Sequence, residues 1–90
     1  RGNPYDTALV TLELARIYLE SGHTEIVKKL AAELVPAFSE QGFDNQVQKA
    51  LRLFRDAAEQ EFASVDLVVR LVKYLQKARR TPGLQFEFFV

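Results

Sequence analysis

Cysteine, methionine and tryptophan are all missing from this chain of 90 residues. Without cysteine there is no disulfide framework, no thiolate nucleophile and no sulfur ligand for a metal, which fits a cytoplasmic protein. Methionine is absent even at position 1, so a cut ahead of Arg1 is expected, with any targeting signal upstream of it. The single histidine, His23, sits in a turn beside Gly22. It has no motif partner for a triad or a metal site, so its expected role is structural. Glycine is scarce and nowhere clustered into a phosphate-binding loop. No apolar run approaches the roughly 20 residues that a membrane-spanning helix needs. Neither catalysis, a cofactor, a metal nor a membrane is indicated, and an enzyme is the weakest reading.

What the chain does have is apolar side chains, 48% of the sequence. That is ample for one core and argues against disorder. The net charge is zero but uneven. Residues 1–62 hold seven Lys/Arg against ten Asp/Glu, a net −3, and residues 63–90 hold five against two, a net +3.

The periodicity is helical throughout. Asn3 and Pro4 read as an entry turn, with Asp6 or Thr7 capping a first helix that runs to about Glu20. Gly22 suits the left-handed position that ends it. Thr24 caps a second helix with an apolar face of Ile26, Val27, Leu30, Ala31, Leu34, Val35 and Phe38. Pro36 lies inside that helix, on its polar side, and should kink it or loosen its end. Gln41 and Gly42 stop it. Asp44 caps a third helix with a core face of Val47, Leu51, Phe54, Ala58 and Phe62, flanked by Ala50 and Ala57. Ser64 caps a fourth, with core positions Val68, Leu71, Val72 and Leu75, widened by Leu67, Val69, Tyr74 and Ala78. Thr81, Pro82 and Gly83 end it. Leu84, Phe86, Phe88 and Val90 then alternate with other residues, as in an extended segment with one buried side. Residues 1–83 thus read as a four-helix domain and residues 84–90 as an apolar tail. The tail either folds back to cap the stack, docks on another protein or stays disordered.

The first helix is apolar on two opposite faces. Val10, Leu14 and Ile17 form one; Ala8, Leu12, Ala15 and Leu19 form the other, with Glu13, Arg16 and Glu20 in a polar stripe between them. Such a helix is expected to lie between two neighbours. One of them is supplied by a preceding repeat or by a second copy of the chain.

The helices come as two pairs, and the caps Thr24 and Ser64 are 40 residues apart in the sequence. That period lies in the range of helical solenoids, about 34–47 residues. Leu14 and Ala15, followed by Tyr18 and then by Gly22, resemble the first helix and turn of a tetratricopeptide repeat. Residues 42–80 keep the helix-pair rhythm without that motif. Residues 8–86 also look like a C-terminal segment that follows tetratricopeptide repeats in some uncharacterised bacterial proteins, matching at 18–22, 33–38, 57–58 and 74–79. The resemblance implies an all-α fold of two antiparallel helix pairs stacked as a short solenoid, and a scaffold for protein or peptide binding. By the same resemblance, Arg16 and Glu20 face a concave groove, with Arg52 and Arg55 as their counterparts in the third helix. Arginines in such a groove can clamp a carboxylate.

The expected function is therefore protein–protein interaction, as the C-terminal part of a larger scaffold. The expected partner is a protein or peptide, and the expected contacts are Leu12, Leu19, Arg16, Glu20, Arg52 and Arg55. One alternative is a homodimerisation module using the face of the first helix. Another is a nucleic-acid-associated domain using Arg70, Lys73, Lys77 and Arg80, which step along one face of the fourth helix. Against the latter, cations near a helix C-terminus are favoured by its dipole alone, and the overall charge is neutral.

Overall fold

Side-chain periodicity decides the elements. The computed structural model describes residues 4–40 and 44–87, and among these it contains four α-helices and no strand. They are α1 (Pro4–Glu20), α2 (Thr24–Glu40), α3 (Asn45–Glu59) and α4 (Val65–Ala78). Asn3, the stop at Gln41 and Gly42, and tail residues 88–90 lie outside the described residues.

The helix ends are built locally. α1 starts at Pro4, ahead of the expected caps Asp6 and Thr7. Proline suits a first helical position, because its fixed φ is already helical and its missing N–H would have no partner there. At the other end Gly22 takes φ 78. The His23 N–H then donates to the Tyr18 carbonyl at 2.9 Å and the Gly22 N–H to Leu19 at 3.2 Å. This is the paired closure of a Schellman turn. The His23 ring completes it, packing edge-on to Tyr18 at 5.9 Å. α3 ends in the same motif, with the Phe62 N–H on Ala57 at 2.7 Å and the Glu61 N–H on Ala58 at 3.0 Å. Here the left-handed residue is Glu61, φ 62, not a glycine. Ser64 caps α4 as expected, accepting from the Leu67 N–H at 3.1 Å. Pro36 does not break α2, which continues to Glu40. It sits on the exposed side, away from the packed face.

Antiparallel neighbours surround one apolar core. α1 packs on α2 and α4, α2 also packs on α3, and α3 meets α4 over a shorter stretch; the backbones of the diagonal pairs α1/α3 and α2/α4 do not approach closely. Side-chain ties mark both ends. At one, Tyr5 packs edge-on to Phe38 at 5.2 Å and Arg79 bonds Asp6 at 3.0 Å. At the other, Lys28 bonds Glu61 at 3.0 Å. Hydrogen bonding to Glu61 and then to Glu25 raises the Lys28 ammonium above its ordinary pKa. The expected helix pairs are present, and α4 adds a closure absent from a linear stack by returning to α1.

The largest fully buried side chains are Phe38, Phe54, Leu12, Leu51, Leu71 and Leu75. Among the described residues no polar or charged residue is buried and no buried side-chain N or O lacks a partner. Burial of apolar surface is thus what holds the domain together. Two expected core positions are corrected. Phe62 lies beyond the end of α3 and is 75% exposed, and Ile26, in the first turn of α2, is exposed as well. Residues 84–87 lie against α4, bonded by Tyr74 and Arg70.

Candidate interaction surface

α1 presents the most continuous apolar surface. Its period places Ala8, Leu12 and Ala15 inward, and all three are buried. The same period sends Val10, Leu14 and Ile17 outward, where they are 61%, 42% and 48% exposed. They follow i, i+4, i+7 spacing, so they form one stripe along the helix. Leu9 and Glu13 on α1, with Val72 and Gln76 across on α4, turn the stripe into an open groove of ≈ 330 Å³.

The two-faced character of α1 is therefore real, but the open face is the other one. Leu12 has 0% exposure, and Leu19 is partly buried against the core. Assigning Leu12 and Leu19 to a partner surface is corrected on that ground: the domain's own helices cover Leu12 completely and Leu19 in part. In a helix apolar on both sides, the sequence does not say which side α2 and α4 take.

The polar stripe beside the groove is tied up within the helix. The Arg16 guanidinium bonds Glu13 at 3.1 Å and Glu20 at 3.2 Å. These contacts, led by the Glu13 hydrogen bond, raise its pKa above the ordinary arginine value. Exposed ladders of this kind contribute little stability, and this one keeps a net −1. Arg55 bonds Asp56 at 3.1 Å, and Arg52 is exposed on α3. Because α1 and α3 are diagonal rather than adjacent helices, Arg16 and Glu20 are not gathered into one groove with Arg52 and Arg55.

The basic row on α4 splits in two. Arg70 turns to the tail: its guanidinium donates to the Glu87 carbonyl at 2.5 Å and lies over the Phe86 ring at 5.8 Å, with Asp66 at 3.9 Å. Lys73, Lys77 and Arg80 stay exposed. Lys73 and Lys77 line an open groove with Tyr74 and residues 84–87.

The sequence reading missed the second use of Asp44. One carboxylate oxygen caps α3, accepting from the Gln46 N–H at 2.9 Å. The other accepts from the Gly83 N–H at 2.8 Å, pinning the start of the tail. A cap signal is legible in the sequence, but a contact across 39 positions is not. Among the described residues, no group of three or more histidine, aspartate or glutamate side chains is placed to hold a metal ion, and no helix is long and apolar enough to cross a membrane. No protein-family model matches the chain, and neither a curated protein nor a solved structure matches it.

Proposed function

We propose that this domain is a non-catalytic protein–protein interaction module, and that the outer face of α1 is its contact surface. The single observation behind this reading is the stripe of Val10, Leu14 and Ile17, three exposed large apolar side chains aligned on one helix face. A shallow groove between two antiparallel helices, lined at helical spacing, suits an amphipathic helix laid along it. The partner is therefore an amphipathic helix with apolar residues at i, i+4 and i+7, from another protein or from elsewhere in a longer chain. The rim carries Glu13, Arg16 and Glu20, a net −1, which favours a cation beside the partner's apolar stripe. A scaffold role follows, as the tetratricopeptide resemblance also implies. The nucleic-acid alternative is weakened, because Arg70 is engaged with the tail.

The test uses a synthetic leucine–lysine amphipathic helix titrated into the labelled domain and followed by NMR. Shifts confined to Val10, Leu14, Ile17 and Val72, and lost in Leu14→Glu, support the reading. Shifts elsewhere, or none, overturn it. Light scattering across a dilution series runs beside it. A dimer that persists on dilution and is broken by Ile17→Glu would replace the helix partner with a second copy, making this a homodimerisation module.

A further inference from the structure

A second surface lies on the other side of α4. After the turn at Thr81, where the Leu84 N–H donates to the Thr81 carbonyl at 3.2 Å, the chain doubles back along α4. Gly83 makes this possible with φ 85. The Tyr74 hydroxyl then donates to the Leu84 carbonyl at 2.6 Å, and Arg70 to the Glu87 carbonyl at 2.5 Å. Phe86 packs edge-on to Tyr74 at 5.3 Å and under the Arg70 guanidinium. Gln85 and Phe86 also share a small cleft with Gln46, Ala50 and Leu53 of α3. The segment thus lies in a cleft between α4 and α3, the helix pair with the shortest contact.

Both donors bond main-chain carbonyl oxygens, which a peptide of any sequence carries. Side-chain selection is left to Leu84 and Phe86, which are only partly buried, whereas Leu51, Phe54, Leu71 and Leu75 are fully covered. Lys73 and Lys77 line the groove along the tail, a field that favours an acidic residue after the aromatic one, as Glu87 is here. We propose that the cleft between α3 and α4 is a peptide-binding site for an extended segment carrying an aliphatic residue, a phenylalanine two positions on, and then an acidic residue. Residues 84–87 are its resident competitor in cis. This site is separate from the outer face of α1, so either proposal can fail without the other.

A docked tail lowers the apparent affinity for an added peptide in proportion to its occupancy. The test weakens the tail and leaves the cleft intact. A fluorescent peptide with the sequence of residues 82–90 is titrated into the full chain and into its Phe86→Ala variant, read by anisotropy. The expected result is binding to Phe86→Ala at least about tenfold tighter than to the unmodified chain. A peptide with alanine at the position of Phe86 should show no such gain. A folded Phe86→Ala chain that binds no better than the unmodified one overturns the proposal. If Phe86→Ala loses its helical circular dichroism, Gly83→Val replaces it, straining the hinge without touching cleft or tail side chains. Loss of the fold in both variants would make the tail an inseparable part of the core, and that too overturns the proposal.

Discussion

Leu12 and Leu14 are two residues apart in sequence and about 200° apart around α1, so truncating each to alanine tests the orientation of the helix directly. Leu12 has no exposed surface. Leu12→Ala removes three carbons, worth about 2.4 kcal/mol at roughly 0.8 kcal/mol per buried methylene. The cavity left behind raises the loss to about 3–4 kcal/mol. A domain of this size holds roughly 5–13 kcal/mol in total, so the variant folds but is badly weakened. Leu14 is already 42% exposed, and its truncation opens no enclosed cavity. Leu14→Ala should cost about 1 kcal/mol or less, partly offset by the better helix propensity of alanine. The assay is urea unfolding by circular dichroism at low protein concentration. With a slope of about 1 kcal/mol/M, the midpoint should fall by about 3 M for Leu12→Ala and by less than about 1 M for Leu14→Ala. In a chain shown to be monomeric, a Leu14 loss as large as that of Leu12 would mean that Leu14 is buried too, a larger one that α1 is turned the other way, and either would remove the proposed surface. A Leu14 cost that shrinks on dilution would mean that a second copy covers the face.

Asp44→Ala removes both the α3 cap and the anchor of Gly83, and should cost about 1–3 kcal/mol. Asp44→Asn should recover part of that loss in thermal unfolding, since asparagine still caps. Recovery to the full wild-type value would show that the charge on the Gly83 contact has no role. Gly22→Ala meets no atom within 4 Å, so its expected cost of about 1 kcal/mol comes from the left-handed backbone alone; an unchanged melting temperature would contradict the turn. Burial, then Asp44 and Tyr5, push the Tyr74 phenol from 10.0 up to about 12. The folded value lies above the unfolded one, so this stabilisation is complete below about pH 10 and is lost as the pH climbs to about 12. Burial raises Tyr5 in the same direction. Tyrosinate absorbance followed beside circular dichroism should show Tyr74 ionising together with loss of structure; ionisation at the pKa of a free tyrosine would remove its hydrogen bond to Leu84.

Local signals in the sequence were enough for most of the helices. Ser64 and Asp44 cap where a short acceptor precedes an apolar period, and Gly22 ends α1 because only glycine adopts φ 78 without strain. What was illegible has a common cause: it depends on residues far apart in the chain. Phe62 fits the period of α3, but the left-handed Glu61 ends that helix first, and no sequence rule places a glutamate there. Leu12 and Leu14 are equivalent by pattern, and only the docking of α2 and α4 separates them. Arg70 belongs to a basic row by spacing, yet the returning tail reassigns it to a carbonyl and an aromatic ring.

The geometry of α4 explains how two unrelated surfaces fit on so small a body. Its core stripe runs through Val68, Leu71 and Leu75, all at full burial. At 100° per residue, Val72 and Gln76 flank that stripe on one side, Arg70 and Tyr74 on the other. The first pair completes the groove with α1, and the second holds the tail against α3. Because α4 closes tightly onto α1, its contact with α3 is short, and the space beside Ala50 and Leu53 is left to be filled. A longer contact between α3 and α4 would have sealed that space with helix side chains. The proposed peptide cleft is thus a consequence of how the bundle closes, and its resident tail is the segment that the closure leaves nearest.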